Sequence, residues 1–197
     1  MVYNTISFTM QHQKSETTRQ AQTLKGTVAI IPVGNADRQT LEVLRRSIPA
    51  VFDLDAFIGS PLPLPPNAFN KKRRQYLASD VLQSLMKRDR QRNPTRILGV
   101  ADVDLYVPDL NFVFGLAAGI GTLISVTRLR QEFYGLPEDR ALFSRRILTE
   151  AVHELGHTFG LGHCRNARCV MFFSNSLIDT DRKGPDFCPV CATRLGR

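Results

Sequence analysis

Three of the four histidines of this 197-residue chain fall in one run, His153-Glu154-Leu155-Gly156-His157-Thr158-Phe159-Gly160-Leu161-Gly162-His163. On a helix, His153 and His157 are four residues apart and project from one face, about one turn apart, so both imidazoles can reach a single metal ion. Glu154 is rotated about 100° from His153 and is free to address a metal-bound water instead of the metal. Gly160 lets the chain leave the helix and turn back, which brings His163 to a third ligand position. Three neutral imidazoles leave zinc one open position for water, the arrangement of a catalytic site and not of a closed structural one. Random placement in a chain of this composition produces the extended pattern only about three times in a million.

The four cysteines follow at once: Cys164, Cys169, Cys188 and Cys191. In a secreted protein they could form two disulfides; in a reducing compartment metal or redox use is favoured. Their two pairs, Cys-x4-Cys and Cys-x2-Cys, come close to the spacing of a structural four-thiolate zinc site.

The histidine spacing resembles that of the metzincin metallopeptidases, in which a later methionine forms an apolar floor beneath the metal. Met171 lies eight residues beyond His163, although ordinary core filling would also account for it. The tail His163-Cys164-x4-Cys169-x-Met171-x16-Cys188-x2-Cys191 is similar to the archaemetzincins, a metzincin family with a second, four-cysteine zinc site. The segments Asp104-Leu105-Tyr106-Val107-Pro108 and Asn111-Phe112-Val113-Phe114-Gly115 also resemble that family, so the likeness spans residues 26–197. It implies His153, His157 and His163 as catalytic zinc ligands, Glu154 as general base, and Cys164, Cys169, Cys188 and Cys191 as structural zinc ligands. Two Zn²⁺ per chain follow.

Zinc lowers the pKa of a bound water to about 7. Glu154 would take the water proton during attack on a peptide carbonyl and pass it to the leaving amine. No cysteine precedes Cys164, so no upstream thiolate is present to block the metal. The tyrosines are Tyr3, Tyr76, Tyr106 and Tyr134, so none follows Met171. Stabilising the oxyanion would then fall to zinc and backbone groups. The expected function is zinc-dependent peptide-bond hydrolysis on a peptide or protein substrate. The alternative is a catalytically weak or inactive zinc-stabilised module that binds peptides or regulates.

The elements that must position these residues are legible in part. Residues 1–24 lack periodicity and read as a loose extension, leaving residues 25–197 as the peptidase domain, with the structural zinc site inside 164–191. The apolar run at 26–34 suits a buried strand. Asn35 or Asp37 could cap a helix reaching Ile48. The proline-rich stretch 61–66 reads as a stiff extended connection. A second helix is expected over 74–90, then strands at 96–100, 105–107, 111–116 and 122–126. The zinc-bearing helix starts at Pro137-Glu138-Asp139, keeps Leu142, Phe143, Ile147, Ala151, Leu155 and Phe159 on one side, and stops at Gly160. The fold class is therefore α/β (α+β): a metzincin-like mixed twisted sheet with packed helices, a zinc-bearing active-site helix and a small C-terminal four-cysteine segment. A substrate peptide could align on an exposed edge, for which 111–116 is the candidate.

Composition sets the outer bounds. With 43% hydrophobic and 22% charged residues the chain is neither collagen-like nor wholly disordered. Its net charge of +8 reads as a solvated basic surface or as a signal of an acidic partner. The runs Lys71-Lys72-Arg73-Arg74 and Lys87-Arg88-Asp89-Arg90-Gln91-Arg92 lack interleaved aromatics. Nucleic-acid binding is disfavoured, because three histidines with an adjacent glutamate have no purpose there. The weakly charged stretch 107–126 is interrupted by Pro108, Asp109, Asn111 and glycines, and the first twenty residues have no apolar signal core. A cytoplasmic monomer away from the membrane is the expectation.

Overall fold

A computed structural model describes residues 26–88 and 94–196. The chain runs β1 (Thr27–Val33), α1 (Arg38–Phe52), β2 (Asp55–Ile58), β3 (Phe69–Asn70), β4 (Gln75–Leu77), α2 (Ala78–Arg88), β5 (Arg96–Ala101), β6 (Leu105–Tyr106), β7 (Gly115–Ala118), β8 (Gly121–Ser125), α3 (Arg140–Thr158), α4 (Leu177–Lys183) and α5 (Pro189–Arg194). The main sheet has the order β2-β1-β5-β8-β7. Its first four strands are parallel, and β7 joins the edge antiparallel to β8. A small second sheet has the order β3-β4-β6.

Strand alternation divides the core between the two faces of the main sheet. Val28, Ile30, Leu98, Val100 and Ile124 face α1 and α3, where they meet Leu44, Ile48, Ile147, Ala151 and Leu155. Ala29, Ile31, Ile97 and Leu123 point the other way, onto Val81, Leu82 and Leu85 of α2. Each large aliphatic side chain buried in this way contributes about 1.5–3 kcal/mol. The mixed α/β architecture expected from sequence is the one found. No helix among the described residues is long and apolar enough to cross a membrane.

Several boundaries differ from the sequence expectation. Asp37, and not Asn35, caps α1, its side chain accepting from the Thr40 N–H. The helix continues through Pro49 to Phe52 instead of stopping at Ile48. Phe52 stacks on Phe159 at 5.1 Å and meets Phe187 edge-on at 5.9 Å, so ring packing holds the last turn. The second helix starts at Ala78, because residues 75–77 are drawn into β4, where Tyr76 pairs with Phe69 and Leu105. Arg90 and the 1–24 extension lie outside the described residues. Of the strand expected at 111–116 only Gly115 and Leu116 belong to β7. The strand β2 and the helices α4 and α5 were not expected.

Candidate active site

The helix α3 carries the histidine run into the middle of the molecule. Asp139 caps it, accepting from the Leu142 N–H at 2.9 Å, so Pro137 and Glu138 stand outside the helix. From Thr149 to Gly156 every residue is buried. Helical spacing places His153 and His157 side by side, with ring centroids 4.7 Å apart. Gly160 takes a left-handed φ of 83° beyond the helix end, and the returning chain brings the exposed His163 to 4.9 Å from the His157 ring.

The imidazoles are oriented by the backbone. His153 Nδ1 lies 2.7 Å from the Val170 carbonyl, and His157 Nδ1 lies 2.8 Å from the Leu161 carbonyl. Each Nδ1 must donate its hydrogen there, which leaves both Nε2 atoms as bare lone pairs. Those two Nε2 atoms face each other at 3.1 Å. Facing lone pairs suit a shared cation, and bonds of 2.0–2.1 Å around tetrahedral zinc would set such nitrogens roughly 3.3 Å apart. The ligand atoms of all three histidines lie within 4.8 Å of one another, so the residues fit zinc. Burial, foremost, pushes the pKa of His153 down to about 2, and it also lowers that of His163. Both shifts favour the neutral ring that a metal ligand needs.

Met171, fully buried, lies directly beneath this helix. A Cβ on Gly156 would come within 2.5 Å of the Met171 sulfur, so only glycine allows so close an approach. Glu154 is seated in the same way. A Cβ on Gly115 would lie 2.6 Å from both Cγ and Oε1 of Glu154, so the edge strand β7 packs directly against the carboxylate. In the metal-free protein burial, and then the charge of Glu150, raise the Glu154 pKa to about 8, against the pull of Lys183.

The cleft has a volume of about 210 Å³ between residues 110–115 on one side and Glu150, His153, Glu154 and residues 173–175 on the other. Although residues 111–114 are not a regular strand, they are firmly held. Arg73 Nη2 donates to the carbonyls of Leu110 (2.7 Å) and Asn111 (3.0 Å), and Gln75 Nε2 donates to Asn111 O at 2.8 Å. Asp104 binds Gln75 and receives two 2.7 Å bonds from Arg128, whose guanidinium lies 4.3 Å over the Phe112 ring. Part of the basic run at 71–74 therefore acts as a structural clamp.

Sequence reasoning alone does not single out Glu150 or Lys183. Lys183 Nζ lies 3.1 Å from Glu150 Oε1 and 3.4 Å from the Phe172 carbonyl, with both side chains essentially inaccessible. Thr180 donates to the same Glu150 oxygen at 2.8 Å. This buried pair ties α4 and the turn after Met171 to the helix one turn before Glu154. The position of Glu150, four residues before Glu154, was the available clue.

The four cysteines also converge, with their sulfurs within 4.8 Å of one another and no disulfide. Cys164 and Cys188 are 3.9 Å apart, close to the roughly 3.8 Å expected around tetrahedral zinc with 2.3 Å bonds. Cys188 caps α5, whose Pro189 opens the helix, so Cys188 and Cys191 share its first turn. The Cys191 backbone N–H pulls the Cys188 pKa down to about 7, while burial raises those of Cys169 and Cys191. A shared cation is what lets such a cluster ionise together. The Cys164 N–H donates to Met171 O at 2.9 Å, joining the two clusters.

A family model described as peptidase family M54 matches residues 63–197. The chain belongs to that family. An archaemetzincin from Pyrococcus furiosus is 42% identical over 179 residues, covering 87% of this chain and 93% of the relative. The crystal structure of an archaemetzincin from Methanopyrus kandleri superposes with a TM-score of 0.78 at 36% identity, covering 89% of this chain and 96% of that one. A zinc-dependent peptidase from Methanocorpusculum labreanum gives 0.78 at 32% identity, covering 85% and 99%. As a member of M54 the chain is a zinc metallopeptidase that acts on peptides, with the mixed α/β fold of the archaemetzincins.

Proposed function

We propose that this M54 peptidase holds two zinc ions, one on His153, His157 and His163 for catalysis and one on Cys164, Cys169, Cys188 and Cys191 for structure. The whole of residues 25–197 forms the peptidase domain. The single observation that carries the reading is the pair of bare Nε2 atoms at 3.1 Å, with the Glu154 carboxylate on the wall of the same cleft. Zinc there supplies a water of lowered pKa and a positive charge for the developing oxyanion.

The residues of the chain do the rest. The peptide lies in extended form along residues 111–115, hydrogen-bonded to backbone groups that Arg73, Gln75 and Arg128 keep in place. Glu154 accepts the water proton on its carboxylate and delivers it to the amide nitrogen of the leaving strand. Gly115 confines that carboxylate to one position. Phe173 packs against the His163 ring at 4.9 Å and lines the cleft beside it.

Glu154→Gln tests the assignment. It is expected to keep both zinc ions and near-native melting while hydrolysis of library peptides falls roughly 10²–10⁴-fold, the worth of a positioned general base. His157→Ala is expected to lose one zinc together with activity. An undiminished rate in Glu154→Gln removes the general-base role. If the wild-type protein cleaves no peptide in a broad library, the peptide-binding reading replaces the catalytic one.

A further inference from the structure

Beside the cleft lies a second cavity, of about 470 Å³, between the loop before α3 and the start of α4. Phe112 and Asn175 line both spaces, so the cavity adjoins the cleft. Its apolar walls come from Phe112, Tyr134, Leu136, Leu177 and Ile178. The charges on its rim are engaged: Arg128 holds Asp104, and Arg146 holds Asp181 through two 2.7 Å bonds. Leu136 is 53% exposed, Ile178 69% and Tyr134 45%. Isolated exposed apolar residues are ordinary, but three converging on one cavity mark a contact surface.

The position of the cavity is set by α3. Arg146 on its wall precedes His153 by seven residues of the same helix, which is about 10 Å along the axis. Glu150, between them, lines the cleft. An extended peptide advances roughly 3.3 Å per residue, so the cavity lies about three residues from the bond at the histidines. The rim of the cleft runs from Phe112 at the cavity to Gly115 over Glu154. A strand added antiparallel to it, the more stable pairing, enters the cavity on the C-terminal side of the cleaved bond.

We propose that this cavity is a substrate subsite for a large apolar side chain, Leu, Ile, Met or Phe, at about the third residue after the cleaved bond. The proposal rests on the peptidase reading of the cleft. It makes the enzyme selective for peptides that extend at least three residues beyond the scissile bond and carry an apolar side chain there.

The test is a digest of a degenerate peptide library by the zinc-loaded full chain, with cleavage positions read by mass spectrometry. It is repeated with Ile178→Asp and Leu136→Asp. These positions are exposed and lie on different segments, and melting curves verify folding of each variant. In the wild type, large apolar residues are expected to be enriched at the third position after the bond. In both variants, the ratio of kcat/KM for a peptide with Leu there to its Gly counterpart is expected to fall about tenfold, the worth of burying one such side chain. A flat third position in the wild type, an enrichment on the N-terminal side, or folded variants with an unchanged ratio overturns the subsite while leaving the peptidase reading intact. If the wild type cleaves nothing, the peptidase reading fails and the subsite falls with it.

Discussion

Lys183→Met isolates the buried pair behind the candidate general base. The native ammonium and the Glu150 carboxylate are 3.1 Å apart, with side-chain exposures of 0% and 2%. At an effective dielectric of about 20 their attraction is roughly 5 kcal/mol. Methionine keeps most of the aliphatic stem and removes the charge, leaving Glu150 buried with Thr180 as its donor. Breaking such a pair from one side costs about 3–5 kcal/mol. For a chain of this length the melting temperature falls by roughly 10 °C. The double variant Lys183→Met with Glu150→Gln removes the buried charge and keeps an acceptor for Thr180, so most of the stability returns. The assay is urea unfolding of the zinc-loaded protein at pH 7, with both single variants and the double. A deficit under about 1 kcal/mol, or a double variant as weak as Lys183→Met, refutes this account.

Three further outcomes follow from the same geometry. Gly115→Ala pushes a methyl group against the Glu154 carboxylate, 2.6 Å from its Cγ. Its kcat is expected to fall roughly 10²-fold with zinc content unchanged, as a displacement of about 1 Å implies, and steady-state kinetics with metal analysis checks this. Cys188→Ser should lower zinc by one ion per chain and destabilise the C-terminal segment, weakening hydrolysis through the Cys164–Met171 link; metal analysis and melting decide it. Glu154, raised from 4.5 to about 8 in the folded metal-free protein, holds a proton that the unfolded chain has released. Its folded state therefore binds more protons, and stability is lost as pH rises through that window. The neutral His153 acts in the opposite sense below 6.5, equally in wild type and variant. With a chelator mild enough to spare the thiolate cluster, wild type should lose about 2 kcal/mol more than Glu154→Gln between pH 6 and 8. Parallel unfolding curves would contradict the burial of that carboxylate.

The sequence by itself determined the features whose cause is local. Helical period fixes that His153 and His157 share a face, and Gly160 fixes the turn that brings His163 back. Paired cysteine spacing fixes the second cluster, and a continuous apolar run fixes the buried strand β1. Two missed helices were also locally readable: α4 carries a Ser176/Asp179 capping box and α5 begins on Pro189. The rest was decided only by tertiary structure. The β4 segment carries a helical pattern, yet strand partners from elsewhere in the chain capture it. Residues 111–114 form a rim because Arg73 and Gln75, nearly forty residues earlier, hold their carbonyls. Glu150 and Lys183 meet across 33 residues, and the apolar cavity is assembled from segments around positions 112, 134 and 178. Such contacts have no period and no fixed spacing. They depend on where packing of the whole core places each element, so residue type and order alone do not reveal them.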